Sequence, residues 1–201
     1  MESAAIALTG RQRWRLPSLL LACALGLIAA GPRAVRALLP VQGAILAQLL
    51  PEFEIGSLDI EQSGGHWLLS ARMNSRVHLV AYGRVMPPGV PAEVGTPAGA
   101  AQRILLALCA GALWLCSRRP AMSVMPVMAV LLGGTALAVA SAPIVMAGEI
   151  WSLYLASAEP SLAYLLSRLS RFLLHGGDYA LLGVLFYLAA GPADRRPADP
   201  A

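Results

Sequence analysis

The stretch from Ile104 to Ala147 constrains this chain most. It is an apolar run from Ile104 to Cys116, a charged break at Ser117-Arg118-Arg119-Pro120, and a second apolar run from Met122 to Ala147. A hydrocarbon core about 30 Å thick takes roughly 20 apolar residues in a helix, so the pair predicts a transmembrane hairpin with Arg118 and Arg119 at its tip. Arginines that flank spans stay on the cytoplasmic side. The tip then orders everything else: the polar, strand-like stretch from Phe53 to Arg84 falls outside the cell, and both termini fall inside.

Composition supports a membrane protein. Hydrophobic residues make up 57%, charged residues only 13%, and the mean hydropathy is +0.65, whereas a soluble domain is about a quarter charged. A net charge of +4 would invite a nucleic-acid partner, but all 15 basic residues are arginine and most of them flank apolar runs. That is the pattern of positive-inside orientation and snorkelling. With no basic stripe or aromatic platform, nucleic acid is not an expected partner. The lack of lysine beside abundant Ala, Gly, Pro and Arg suits a GC-rich bacterial genome, and so a bacterial inner membrane. Cys23, Cys109 and Cys116 all fall within predicted spans, which leaves the outer segment without a disulfide framework. Cys109 and Cys116 share a helix face as small apolar packers; a redox or metal pair would need further ligands.

Taken in order, residues 1–15 form a cytoplasmic lead ending in Arg11, Arg13 and Arg15. Residues 16–50 hold a first transmembrane helix, from Leu16 to Gly31, and an interfacial helix over Val41 to Leu50 with one apolar face. The first run also resembles the apolar part of a signal peptide, with Ala29-Ala30 as a cleavage site. Val41 to Leu50 could equally extend the first helix. Residues 51–100 are the extracytoplasmic β segment and a Pro-rich linker. Phe53 and Ile55 alternate with polar neighbours, then Leu58 and Ile60 do so out of phase, which predicts a bulge at Gly56-Ser57. Ser63-Gly64-Gly65 is a turn signal, and Trp67, Leu69, Ala71 and Met73 line one side of a second strand. A further turn at Asn74-Ser75 leads into a third strand over Val77, Leu79 and Ala81. The prolines between Val85 and Pro97 predict a stiff linker.

Residues 101–190 hold three further transmembrane helices, with an amphipathic segment at 148–171. Gly133, Gly134, Ala138 and Ser141 are small residues that let another helix pack closely. Tyr179 to Ala190 is too short to span, so the last span is expected to begin near Phe172 and to include His175, Gly176, Gly177 and Asp178. Arg195 and Arg196 follow it inside, and 191–201 read as a disordered cytoplasmic tail. A five-span arrangement would send Ile150 to Leu166 across instead, with Glu159 in mid-membrane at about 3 kcal/mol. The expected fold is thus mainly α: a multi-pass bundle of about four transmembrane helices with a small extracytoplasmic antiparallel sheet of about three strands.

Chemistry is sparse. An ionisable group at membrane depth is a functional candidate, and Asp178 with His175 three residues before it is such a pair, suited to proton transfer or to a polar contact. The alternative is that Gly176-Gly177 breaks the helix and leaves both groups wet. His66 and His78 with Glu52, Glu54, Asp59 and Glu61 could in principle hold a metal, but polar residues on the open face of a sheet are the ordinary case. No phosphate loop, HExxH helix or GxSxG elbow is present, and no catalytic residue, cofactor or metal is expected.

The order of parts resembles a family. An arginine-led first helix, an exterior hairpin carrying Gly-Gly-His-Trp-Leu-Leu (Gly64 to Leu69), a proline-bearing return, a tight helical hairpin and a last helix look like the small membrane proteins encoded beside exosortases, in particular the exosortase H-associated type. Exosortases are membrane cysteine transpeptidases that process C-terminal sorting signals with Cys, Arg and His. This chain departs from them: it has fewer helices, and Cys109 lies within a span with no matching histidine and arginine motif. The resemblance implies a non-catalytic accessory to a sorting or envelope-assembly enzyme, with no site residues carried over. The alternative is a small transporter or membrane-enzyme subunit that uses Asp178 and His175.

Overall fold

The structure, a computed structural model, describes residues 15–64, 66–81, 84–118, 124–155 and 160–190. Arg11, Arg13, Arg119, Arg195, Arg196 and the tail 191–201 lie outside the described residues. Helix α1 spans Arg15–Ala30, a 3-10 segment follows over Gly31–Leu38, and α2 spans Leu39–Leu49. Gly31 sits at φ +58, a backbone state that glycine adopts without a Cβ penalty, and the helices on either side meet at 106°. α2 therefore turns away from α1 rather than extending it. Its buried residues Gln42 and Leu46, and Leu50 just beyond, pack inward.

Three antiparallel strands form one sheet in the order β1-β2-β5: β1 Phe53–Ser63, β2 His66–Ser75 and β5 Pro91–Pro97. The bulge falls where the alternation slips, because Ile55 pairs with Met73 and Ser57 with Arg72, leaving Gly56 over. Leu69, Ala71 and Met73 of β2 face the core. The third strand is not Val77 to Ala81. Leu79–Ala81 (β3) instead pairs with Arg84–Met86 (β4) in a separate hairpin. The sheet is completed by Pro91–Pro97, which the proline count had given to a linker. Ala92, Val94 and Thr96 are buried there while Pro91, Glu93, Gly95 and Pro97 are exposed. Proline is tolerated because β5 is an edge strand. Nor does the chain turn at Asn74-Ser75: β2 runs through Ser75, whose Oγ accepts from Val90 N at 3.2 Å.

The remaining helices are α3 Gly99–Arg118, α4 Val124–Ile150 with a π-helical turn over Trp151–Leu155, α5 Pro160–Phe172, a second π turn over Leu173–Gly177, and α6 Asp178–Ala190. Three helical stretches, Gly99–Cys116, Met125–Leu155 and Pro160–Ala190, are long and apolar enough to cross a membrane; the bent pair of α1 and α2 makes a fourth if counted as one. Residues 148–171 are thus not a separate amphipathic element, since 148–155 finish one long helix and 160–171 begin the next. The last apolar helix starts at Pro160, not near Phe172, and Ile150 to Leu166 is divided between two helices that pack side by side.

The helices alternate in direction. Leu20 of α1 clusters with Ala112 of α3 and Val127 of α4, while Gln102 Nε2 of α3 donates to the Leu27 carbonyl at 2.8 Å. Gly148 of α4 lies against Leu166 and Ser170 of α5, and Gly134 against Leu182 of α6. The start of α1, the end of α3, the start of α4 and the end of α6 therefore share one end of the bundle. The sheet caps the other. A single apolar core there joins Leu46, Phe53, Leu69, Val94, Met146 and Ile150; a smaller one, with Leu108, Leu115, Val130 and Leu182, fills the bundle below. Every residue of α4 and its π turn from Ser141 to Trp151 is buried except Ile144 and Glu149, which are half-buried. Trp151 Nε1 also donates to the Leu49 carbonyl at 3.2 Å, closing the last turn of α2.

Candidate functional site

The helix from Pro160 to Ala190 breaks at His175, with ψ +18, and Gly176, with φ +93. Glycine is the residue that takes this conformation readily. α6 restarts at Asp178, whose Oδ1 accepts from the Tyr179 backbone N–H at 2.8 Å. A carboxylate at a helix N-terminus meets orphan donors and the positive end of the dipole. Asp178 is nonetheless 6% exposed, so most of its water has been stripped away.

Beside it lies a cavity of about 90 Å³. Thr96 and Pro97 close it from β5, Ala100 and Arg103 from the first turns of α3, Ser141, Ala142 and Val145 from α4, and Leu173, Leu174, Gly176, Asp178 and Tyr179 from the break. Thr96 is buried at 4% and Ser141 at 5% exposure. The Ser141 Oγ has no hydrogen-bond partner. Arg103 is exposed, and no ion pair joins it to Asp178 although both line the cavity. The carboxylate of Asp178, the hydroxyl-bearing Thr96, Ser141 and Tyr179 and the arginine Arg103 thus border one small space with otherwise apolar walls, the composition of a site that orients a small polar group.

His175 does not share this site. It is exposed, and its Nδ1 lies 2.7 Å from the Arg171 carbonyl; since a carbonyl only accepts, that nitrogen carries the proton. The three-residue spacing from Asp178 loses its helical meaning across the break. Of the small residues, Gly133 faces Leu185, Gly134 faces Leu108 and Leu182, and Ala138 is fully buried. The neighbours of the two glycines are α3 and α6 of this same chain. Ser141 borders the cavity instead. Comparably close approaches fall at other glycines: Gly111 against Phe186 and Gly148 against Leu166 and Ser170, neither singled out from sequence, and Gly177, read there only as a helix breaker, against Phe172. Glycine within an apolar helix was the available signal.

Among the described residues no group of three or more His, Cys, Asp and Glu could hold a metal. His66 and His78 are exposed. On the outer face of the sheet Arg72 instead binds Glu61 at 2.9 Å and approaches Glu93 at 3.6 Å, and Ser70 Oγ donates to Glu93 at 3.0 Å. Trp67 is half-buried against the upper core, with the Arg33 guanidinium 5.8 Å from its ring centroid. Cys23, Cys109 and Cys116 are free thiols. No family model, curated protein or solved structure matches the chain.

Proposed function

We propose that this protein is a non-catalytic accessory of the bacterial inner membrane: four spans, both termini cytoplasmic, residues 51–100 outside, and a membrane-embedded sorting or processing enzyme of the exosortase type as its partner. What carries the reading is the continuous core between sheet and helices, which holds an outer face in fixed position over the bundle. On that face Arg72 bridges Glu61 and Glu93, while Glu54 and Asp59 stand exposed beside them, an open polar surface that suits recognition rather than chemistry.

The direction of the helices supports the orientation. In the sequence Arg11, Arg13 and Arg15 lead into α1, Arg118 ends α3 with Arg119 next to it, and Arg195 and Arg196 come after α6. The described helix ends that these arginines adjoin in sequence, the start of α1, the end of α3 and the end of α6, share the bundle end opposite the sheet, and clustered arginines mark the cytoplasmic side. The small-residue helix face is occupied within the chain, so docking falls to the sheet.

The test is photo-crosslinking in native membranes from a probe at Glu93, on the sheet, with a second probe at Arg118 for sidedness. The expected product joins Glu93 to an integral membrane enzyme carrying Cys, Arg and His in its site. Crosslinks from Glu93 only to cytoplasmic proteins would reject the orientation; crosslinks only to lipid or to other copies of this chain would reject the partner.

A further inference from the structure

We propose that the cavity at the Gly176 break receives the ammonium group of an ethanolamine phospholipid, with the lipid phosphate on Arg103. The inference rests on the bundle standing in lipid with its sheet outside, and not on the partner named above.

The first support is charge. Asp178 and Arg103 border the same space without an ion pair between them. A ligand that carries a cation next to an anion satisfies both at once. The second is an orphan: Ser141 Oγ, 5% exposed, borders the cavity and has no partner. A buried hydroxyl left unpaired is unfavourable, and an ammonium has three N–H donors to divide between it and the carboxylate. Size agrees as well. The cavity measures about 90 Å³, several times the roughly 10–15 Å³ that one water requires, and this suffices for an ammonium and its adjoining methylene.

The level is right for a headgroup. The fifteen residues from Arg103 to Arg118 rise about 22 Å and the sixteen from Arg15 to the Gly31 bend about 24 Å, at 1.5 Å per residue. Both helices thus carry a charge or a break at the two edges of one apolar slab, and arginine stems extend that slab outward. Below the cavity, Leu181, Val184 and Leu188 are exposed on one face of α6, where an acyl chain attached to the headgroup lies. Phosphatidylcholine lacks the N–H donors that Asp178 and Ser141 would accept, and phosphatidylglycerol lacks the cation.

The experiment is native mass spectrometry of the full chain released from detergent in the presence of phosphatidylethanolamine, phosphatidylcholine or phosphatidylglycerol, each alone and in competition. Phosphatidylethanolamine is expected to be retained over both others. Asp178→Asn is expected to reduce its retention about tenfold or more, as loss of a charge-assisted hydrogen bond implies. Asn keeps the capping oxygen, and circular dichroism checks the fold. Arg103→Gln alters an exposed side chain, so it reads the phosphate contact even if the Asp178 variant does not fold, and it too is expected to weaken retention. Equal retention of phosphatidylcholine overturns the proposal, as does unchanged retention in Arg103→Gln. Displacement by soluble phosphoethanolamine as readily as by the lipid overturns the lipid source and assigns the site to a free zwitterion.

Discussion

Gly148 is the position where the packing of the two long helices is most exposed to test. A Cβ built on it would lie 2.6 Å from Ser170 Cβ and 2.7 Å from the Leu166 carbonyl oxygen. Ordinary contact begins near 3.4 Å, so α5 must retreat by about 0.7 Å along its backbone rather than swing a side chain aside. Overpacking of this kind costs about 1–3 kcal/mol, while replacing glycine by alanine within a helix returns up to about 1 kcal/mol. Gly183 isolates the two effects: it sits in α6 with nothing within 4 Å of an added Cβ, so Gly183→Ala carries the helix gain alone. The difference between Gly148→Ala and Gly183→Ala is then the clash itself. At roughly 2–4 °C per kcal/mol for a chain of this size, thermal unfolding in detergent should separate the two variants by about 2–12 °C. Gly134→Ala should fall between them, because it meets the methyl ends of Leu108 and Leu182 at 2.5 Å and 3.1 Å, which can rotate. Equal melting of Gly148→Ala and Gly183→Ala, or a lower value for Gly134→Ala than for Gly148→Ala, would refute the helix contact.

Gly176→Ala should cost about 1–2 kcal/mol from φ alone, because its nearest neighbour, Tyr179 Cδ2, is 3.9 Å away; Gly176→Asn should cost less, and equal melting of the two would argue against the break. Gln42 is fully buried with neither amide atom partnered, so Gln42→Leu should leave stability unchanged or raise it, since replacing an unsatisfied buried amide removes a desolvation cost; a lower melting temperature would mean that the amide has a partner. Trp151→Phe should lose the hydrogen bond to the Leu49 carbonyl, about 1 kcal/mol, with faster amide exchange at the end of α2; unaltered exchange there would place that carbonyl's stabilisation elsewhere.

Much of the β1-β2 hairpin could be read from residue order, because period and phase are local properties. Leu69, Ala71 and Met73 share a face by alternation, and the slip at Gly56 shows as a change of phase within a few residues. The third strand escaped because two signals conflicted: Ala92, Val94 and Thr96 alternate correctly, but the surrounding prolines argue for a linker unless the strand is known to lie at an edge. Edge position is a tertiary fact. The cavity was illegible for the same reason. Ser141 stood out only as a small residue, and Asp178 as an ionisable group at membrane depth but with His175 as its expected partner. Their meeting with Thr96 and Arg103 depends on β5 running into α3 beside α4, which no local pattern encodes.

Helix length was the most misleading local signal, and the two cores explain why. A span needs about 20 residues, whereas Met125–Leu155 has 31 and so rises about 46 Å. Against a hydrocarbon core of about 30 Å, roughly the last 16 Å has another use. That excess corresponds to the end of α4 where nearly every residue is buried, against α2, α5 and β5. Apolar sequence there serves a protein core rather than lipid, and hydropathy does not distinguish the two solvents. A three-stranded sheet is near the minimum for independent stability. Its inner face, Leu69, Ala71, Met73, Ala92 and Val94, joins the same core as Met146 and Ile150. The helices that stand in the proposed membrane are therefore also the second layer behind the sheet, and loosening α4 from α5 should unfold the sheet as well.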